Sequence, residues 1–166
     1  MKILGIDPGL ANTGFAVLTH ERGRSTALSG GVIKTPSGLP LPRRLAMLAA
    51  DLEQLLDEYR PDGLALEELY FGRNATSALA VGQARGVVLL CAGQRELPCA
   101  SYTPQQIKQA VCGSGAADKA QVARMVAAQL GLGATPLPDH AADAFGAAIC
   151  HLGHVPLDTA LAGAAR

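Results

Sequence analysis

The chain opens on an apolar run, Ile3-Leu4-Gly5-Ile6, that passes directly into Asp7-Pro8-Gly9. A run of this kind closed by turn residues predicts a buried strand ending at Asp7, because proline presets φ and glycine tolerates the positive φ of a tight reversal. A second apolar stretch, Thr13 to Thr19, follows after a few residues, which predicts an antiparallel hairpin in place of a crossover. Glu21 to Arg24 reads as a turn and Ser25 to Lys34 as a third strand, in which Gly30 and Gly31 predict a bulge or bend.

The periodicity then changes. From Leu41 to Tyr59, Leu45, Leu48, Leu52, Leu55 and Leu56 recur at helical spacing, with Arg43, Arg44, Asp51, Glu53, Asp57 and Glu58 largely off that stripe, which predicts an amphipathic helix lying on the sheet. Pro61-Asp62 stops it, and Gly63 to Leu66 predicts a fourth strand ending in Glu67-Glu68. Strand, helix, strand of this length implies a crossover and parallel pairing with the first strand. Asp7 and one of the two glutamates then emerge at the same end of neighbouring strands, about 5 Å apart in backbone. Two acids so close are costly unless a cation lies between them.

Ala75 to Gly93 is rich in small residues, and Ala78, Gly82 and Gly86 fall on one helical face with Arg85 beside them. Helical glycine costs about 1 kcal/mol against alanine, so close packing on the sheet or on another subunit is the expected compensation. Leu97 to Tyr102 predicts a fifth strand, and Thr103-Pro104 a helix start bearing Lys108, ended by Gly113-Ser114-Gly115. A further helix runs from Asp118-Lys119 to Leu130 with Val122, Met125, Val126 and Leu130 as its apolar side. The last predicted helix begins at Asp139 and reaches about His151, with His140 and Asp143 on the same face of its first turn.

Composition narrows the class. The 166 residues are most simply one domain, with 49% hydrophobic but only 4% aromatic residues, so the core is aliphatic. The chain has 14 basic and 14 acidic residues; nucleic-acid binding, if present, must use a local patch. No apolar segment reaches the roughly 18 residues that span a bilayer, the start does not read as a signal peptide, and a cytoplasmic location is expected. Cys91, Cys99, Cys112 and Cys150 have no C-x-x-C spacing and are read as small core residues in a reducing compartment.

Asp7, Glu67 or Glu68, His140 and Asp143 thus stand out as oxygen donors with one imidazole, a set suited to Mg2+ or Mn2+ and not to a sulfur-rich zinc site. Two such ions about 3.5–4 Å apart can activate water and stabilise the leaving oxygen of a phosphodiester. The plainer readings are that Asp7 caps its own turn and that Asp139 and Asp143 complement a helix dipole. Tyr70 and Phe71, in a loop with Arg73 just beyond the acids, suit either a hydrophobic lid or a stacking surface for bases. Cys150, His151 and His154 form a weaker ligand set whose plainer reading is cations at a helix C-terminus.

Gly-Ile-Asp-Pro-Gly with the following Thr-Gly, Ala-Leu-Glu-Glu-Leu-Tyr-Phe, Asn74 with Ala78-Leu79, Gly82-Gln83-Ala84-Arg85-Gly86, Gln106 with Lys108, and Ala142-Asp143-Ala144 together resemble the RuvC family of Holliday-junction resolvases, the crossover junction endodeoxyribonucleases, from about Met1 to His151. The resemblance implies an α/β, RNase H-like fold: a five-stranded mixed sheet, three antiparallel strands then two parallel, flanked by helices. It implies a single nuclease domain over residues 1–155, followed by a tail over 156–166.

It further implies a homodimer that cuts four-way junction DNA by symmetric paired nicking, through two-metal-ion hydrolysis leaving 5′-phosphates, in recombination and repair. The cofactor implied is Mg2+, two per subunit, with Mn2+ expected to substitute, and the partners implied are the RuvA and RuvB branch-migration proteins. By the same resemblance Glu67, and not Glu68, is the ligand alongside Asp7, His140 and Asp143. Tyr70, Phe71, Arg73, Lys108 and Lys119 become DNA contacts, and Ala78, Gly82, Arg85 and Gly86 a dimer face. Many members carry aspartate where this chain has His140. An RNA-directed RNase H-like nuclease and an actin-like nucleotide-binding fold share parts of the opening pattern; the Gly-Gln-Ala-Arg-Gly helix and aromatic pair disfavour the first, and chain length the second.

Overall fold

The computed structural model describes residues 1–68, 75–133 and 137–155. Five strands, β1 (Lys2–Asp7), β2 (Asn12–Glu21), β3 (Arg24–Lys34), β4 (Gly63–Glu67) and β5 (Cys99–Tyr102), form one sheet in the order β3-β2-β1-β4-β5. β1 and β2 pair antiparallel with Asp7 opposite Gly14, β2 and β3 pair antiparallel, and β1-β4 and β4-β5 pair parallel. This is the mixed sheet the crossover argument anticipates, with β1 at its centre.

Strand period two sorts the side chains between two cores. Leu4, Ile6, Val17, Leu64 and Leu66 face α1 (Leu41–Tyr59) and α2 (Ala75–Gln94), which bring Leu48, Leu52, Leu56, Ala84 and Val88. Ile3, Ala16, Leu18 and Ala65 face the other layer, α3 (Pro104–Cys112), α4 (Lys119–Leu130) and α5 (Asp139–His154). Asp7 continues the Ile3-Gly5 face and Glu67 the Ala65 face. Both acids therefore belong to the side that carries α5.

α5 lies unusually close to the sheet. A Cβ on Gly5 would collide with the carbonyl of Ala144, and one on Gly14 with the carbonyl of His140. These two glycines admit the helix at backbone contact distance. Because Gly14 is the partner of Asp7 in the sheet, the first turn of α5 comes down beside the end of β1.

Helix ends follow their sequence signals. Thr103 and Gln106 form a reciprocal capping box on α3, Asp118 accepts from the Gln121 amide at the start of α4, and Gly113 and Gly131 close α3 and α4 in the left-handed region. Three expectations need correction. Gly30 and Gly31 pair regularly with Ala16 and Phe15, and the bulge of β3 falls instead at Leu28, between the pairs Ser29–Val17 and Ala27–Leu18; the two glycines make room for the rings of Phe145 and Phe15. Met125 is 37% exposed, leaving Val122, Val126 and Leu130 as the buried side of α4. Of the four free thiols only Cys91 and Cys150 are buried; Cys112 is half-buried and Cys99 exposed on β5. No helix among the described residues is long and apolar enough to cross a membrane.

Candidate active site

Asp7 and Glu67 leave the sheet side by side from β1 and β4, and Asp143 reaches them from the first turns of α5. One carboxylate oxygen from each of the three lies within 4.8 Å of the others. His140 donates or shares a proton through Nδ1 with Asp7 Oδ2 at 2.6 Å. An ionised carboxylate only accepts, so a neutral imidazole in this geometry holds its proton on Nδ1 and leaves the Nε2 lone pair free. Lys119, at the start of α4, approaches Asp143 Oδ2 at 3.4 Å.

These groups line one cleft of about 460 Å3, together with Pro8, Gly9, Glu68, Lys108 and Ile107. Its floor is held by buried hydroxyls. Thr13 Oγ1 donates to the Gly9 carbonyl at 2.6 Å, and Thr35 donates its hydroxyl to the Leu10 carbonyl and its amide to Ala11 at 3.1 Å. Arg44 of α1 clamps Thr35 through Nε at 3.0 Å and Nη2 at 3.3 Å. The turn that follows Asp7 is thus tied down at both ends.

The electrostatics are those of an acid cluster short of positive charge. Burial, then the neighbouring Asp7 and Asp143 carboxylates, push the Glu67 carboxyl up to about 7, against the smaller pull of Lys119 and Lys108. Burial also raises Asp143, offset by Lys119. Lys119 is raised in turn, chiefly by Asp143. Three hard oxygen donors, one of them raised first by burial and then by the repulsion of the other two, are suited to a divalent cation with oxygen preference.

Most of the acids expected from sequence meet here. Asp7, Glu67 and Asp143 form the cluster, with Glu68 exposed at the cleft wall. His140 is not one of the converging ligands; its ring nitrogen contacts Asp7. Asp139 is exposed at the start of α5. Lys108 and Lys119 both line the cleft. Tyr70, Phe71 and Arg73 lie outside the described residues. On α2, Ala78 and Gly82 are half-buried and Gly86 is exposed, whereas Arg85 turns toward β4, its Nη1 donating to the Glu67 carbonyl at 3.0 Å. Among the described residues Cys150, His151 and His154 do not form a ligand group; His151 bonds Tyr102 Oη at 2.8 Å and His154 the Cys150 carbonyl at 2.8 Å. The sequence reading missed the Arg44–Thr35 clamp, for which a buried threonine before a Pro-Ser-Gly loop is the only available signal.

The chain is similar to known proteins over nearly its whole length. The model of the family "Crossover junction endodeoxyribonuclease RuvC" matches residues 3–151. A crossover junction endodeoxyribonuclease RuvC of Syntrophomonas wolfei is 50% identical over 152 residues, 92% of this chain and 88% of that protein. One from Thermomicrobium roseum is 52% identical, covering 91% and 92%. Among solved structures, Thermus thermophilus RuvC in complex with a Holliday junction substrate superposes with a TM-score of 0.89 at 37% identity, over 96% of this chain and 97% of that one. With an acid cluster formed at the strand ends and a family model spanning both its β-strand and α5 carboxylates, this chain belongs to the RuvC family of crossover junction endodeoxyribonucleases.

Proposed function

We propose that this enzyme resolves four-way DNA junctions by hydrolysing one phosphodiester in each of two opposed strands, with Asp7, Glu67 and Asp143 holding the catalytic divalent metal. The observation that carries the reading is the convergence of three carboxylates from β1, β4 and α5 within 4.8 Å, at the foot of a cleft that also holds Lys108 and Lys119. The bound ions, Mg2+ or Mn2+ and two per subunit, would supply activation of water and stabilisation of the leaving oxygen.

The chain's own residues do the positioning. Asp7, Glu67 and Asp143 would hold the ions, and His140, bonded to Asp7 through Nδ1, would orient that carboxylate and could add its Nε2 to the set. Lys108 and Lys119 draw the scissile phosphate into the cleft, and Lys119 exchanges its partner Asp143 for a phosphate oxygen. A water oxygen bonds to phosphorus and the P–O3′ bond breaks, leaving a 5′-phosphate and a 3′-hydroxyl.

Paired nicks require two sites, and a homodimer supplies them. α2 supports this assignment: beside the buried Ala84 and Val88 it exposes Leu79, Leu89 and Leu90, at 64%, 41% and 60%. An α2 pair would sequester that apolar face. The reading includes a cytoplasmic location and delivery of the junction by RuvA and RuvB, as in the family. It is tested with a synthetic four-way junction, beside linear duplex and RNA controls. Symmetric cuts in Mg2+ are expected, and Asp7→Asn should bind the junction but lose on the order of 10³-fold in cleavage, about 4 kcal/mol of barrier. Full cleavage by that variant would overturn the assignment.

A further inference from the structure

Arg85 stands on α2, yet its guanidinium is spent on the sheet. Nη1 donates to the Glu67 carbonyl at 3.0 Å, and Nη2 donates to Ser101 Oγ of β5 at 2.6 Å. The β1-β4 pairing ends at Ile6 opposite Leu66, one residue before Glu67. On the other side the chain is tied by the Glu68 amide, which donates to Tyr102 O at 2.8 Å. The carbonyl of the ligand residue thus lies at the edge of the ladder and is held by a side chain from another layer.

A guanidinium is a planar fork whose arms move together. With one arm fixed on Ser101, the other sets where the Glu67 carbonyl sits, and with it the Cα from which the carboxylate is projected. The need is greatest at this ligand. Glutamate has one more rotatable bond than Asp7 or Asp143, and a metal ligand must be held to about 0.5 Å. Asp7 is fixed by its place in the central strand and by His140. Glu67 has neither a strand partner in β1 nor a comparable side-chain bond among the contacts described.

We propose that Arg85 is a positioning residue for Glu67, a strut running from α2 that holds the β4 ligand at the distance the metal site requires. The inference rests on the metal-dependent reading above. It also links the helix bearing the exposed Leu79, Leu89 and Leu90 to the catalytic cluster through a single side chain and one hydrogen bond.

The test is Mn2+ binding without DNA, measured by calorimetry on the full chain, with sedimentation to follow association. Wild type is expected to bind Mn2+. Arg85→Ala should bind it about tenfold more weakly or worse, the usual cost of losing a group that orients a ligand. Arg85→Lys, with charge but no fork, should recover only part of the loss. In a Glu67→Gln background Arg85→Ala should cause no further weakening, because the ligand it positions is already gone.

Wild-type Mn2+ affinity in Arg85→Ala overturns the proposal, as does an equal loss on top of Glu67→Gln; loss of association with metal affinity intact would show a purely interfacial arginine and overturn it too. If Arg85→Ala does not fold, Ser101→Ala decides: it frees one arm of the fork and should weaken Mn2+ binding in the same direction, and unchanged affinity there counts against the strut. Failure of wild type to bind Mn2+ would sink the metal reading itself, a separate result.

Discussion

His140 Nδ1 lies 2.6 Å from Asp7 Oδ2, although 133 residues separate them in the chain. The bond joins the first turn of α5 to the end of the central strand, and it commits one ring nitrogen so that the other is available. An imidazole is softer than a carboxylate, which favours Mn2+ over the harder Mg2+. Wild type is therefore expected to cleave readily in Mn2+, and His140→Asp to lower the ratio of Mn2+ to Mg2+ rates. His140→Ala, which also frees Asp7, should lose about 10- to 100-fold in activity. Junction-cleavage titrations in each metal check this, and an unchanged ratio in His140→Asp would remove the imidazole from the metal chemistry.

Glu67 gives the metal-free protein a characteristic response to pH. Its carboxyl titrates from 4.5 in the unfolded chain and about 7 in the fold, so the folded state holds the proton more tightly. The group is neutral in sign below 4.5, destabilises increasingly as pH rises through that interval, and exerts its full penalty above about 7, up to about 3 kcal/mol. Thermal melts in chelator should show wild type losing stability between about pH 5 and pH 8 relative to Glu67→Gln. Mg2+ should restore more to wild type than to the variant at the upper pH. Parallel pH slopes for the two proteins would mean that Glu67 is not the strained member of the cluster.

Gly14 tests the docking of α5. A methyl group there meets the His140 carbonyl, and the backbone cannot rotate away as a side chain can. Gly14→Ala should cost about 1–3 kcal/mol, the usual range for forced overpacking. It should also lift the His140 turn from Asp7, so cleavage falls further than the change in folded fraction explains. A variant that melts lower yet cleaves normally when folded would show that the approach serves stability alone.

The elements and the pairing of β1 with β4 were legible because periodicity and a crossover of fixed length determine them. Asp7 beside a glutamate follows from that pairing. The choice between Glu67 and Glu68 came from the family resemblance, and the fold gives its physical basis: Glu67 shares the face of Ala65 and α5, while Glu68 is exposed. Docking of α5 was not legible, since an amphipathic helix can lie on either face of a sheet; the two glycines that admit it, Gly5 and Gly14, read only as positions within apolar strands. The small residues around Arg85 left packing on the sheet or on another subunit open, and the family resemblance placed it on a subunit face. The helix places it around the corner from Gly86, and a hydrogen bond to a carbonyl leaves no mark in residue spacing. Met125 misled for the converse reason, an apolar side chain at a plausible position on a helix whose buried stripe is narrower than its hydrophobic one.

The sheet order places β1 between β2 and β4, with a long antiparallel neighbour on one side and a parallel one on the other. Opening its amides requires both ladders and both cores to part, an event close to global unfolding. Asp7 therefore inherits the durability of the whole molecule. β4, next to the four-residue strand β5, can yield sooner. Heat or denaturant should thus dismantle the cluster from Glu67 first, leaving Asp7 among its last surviving parts.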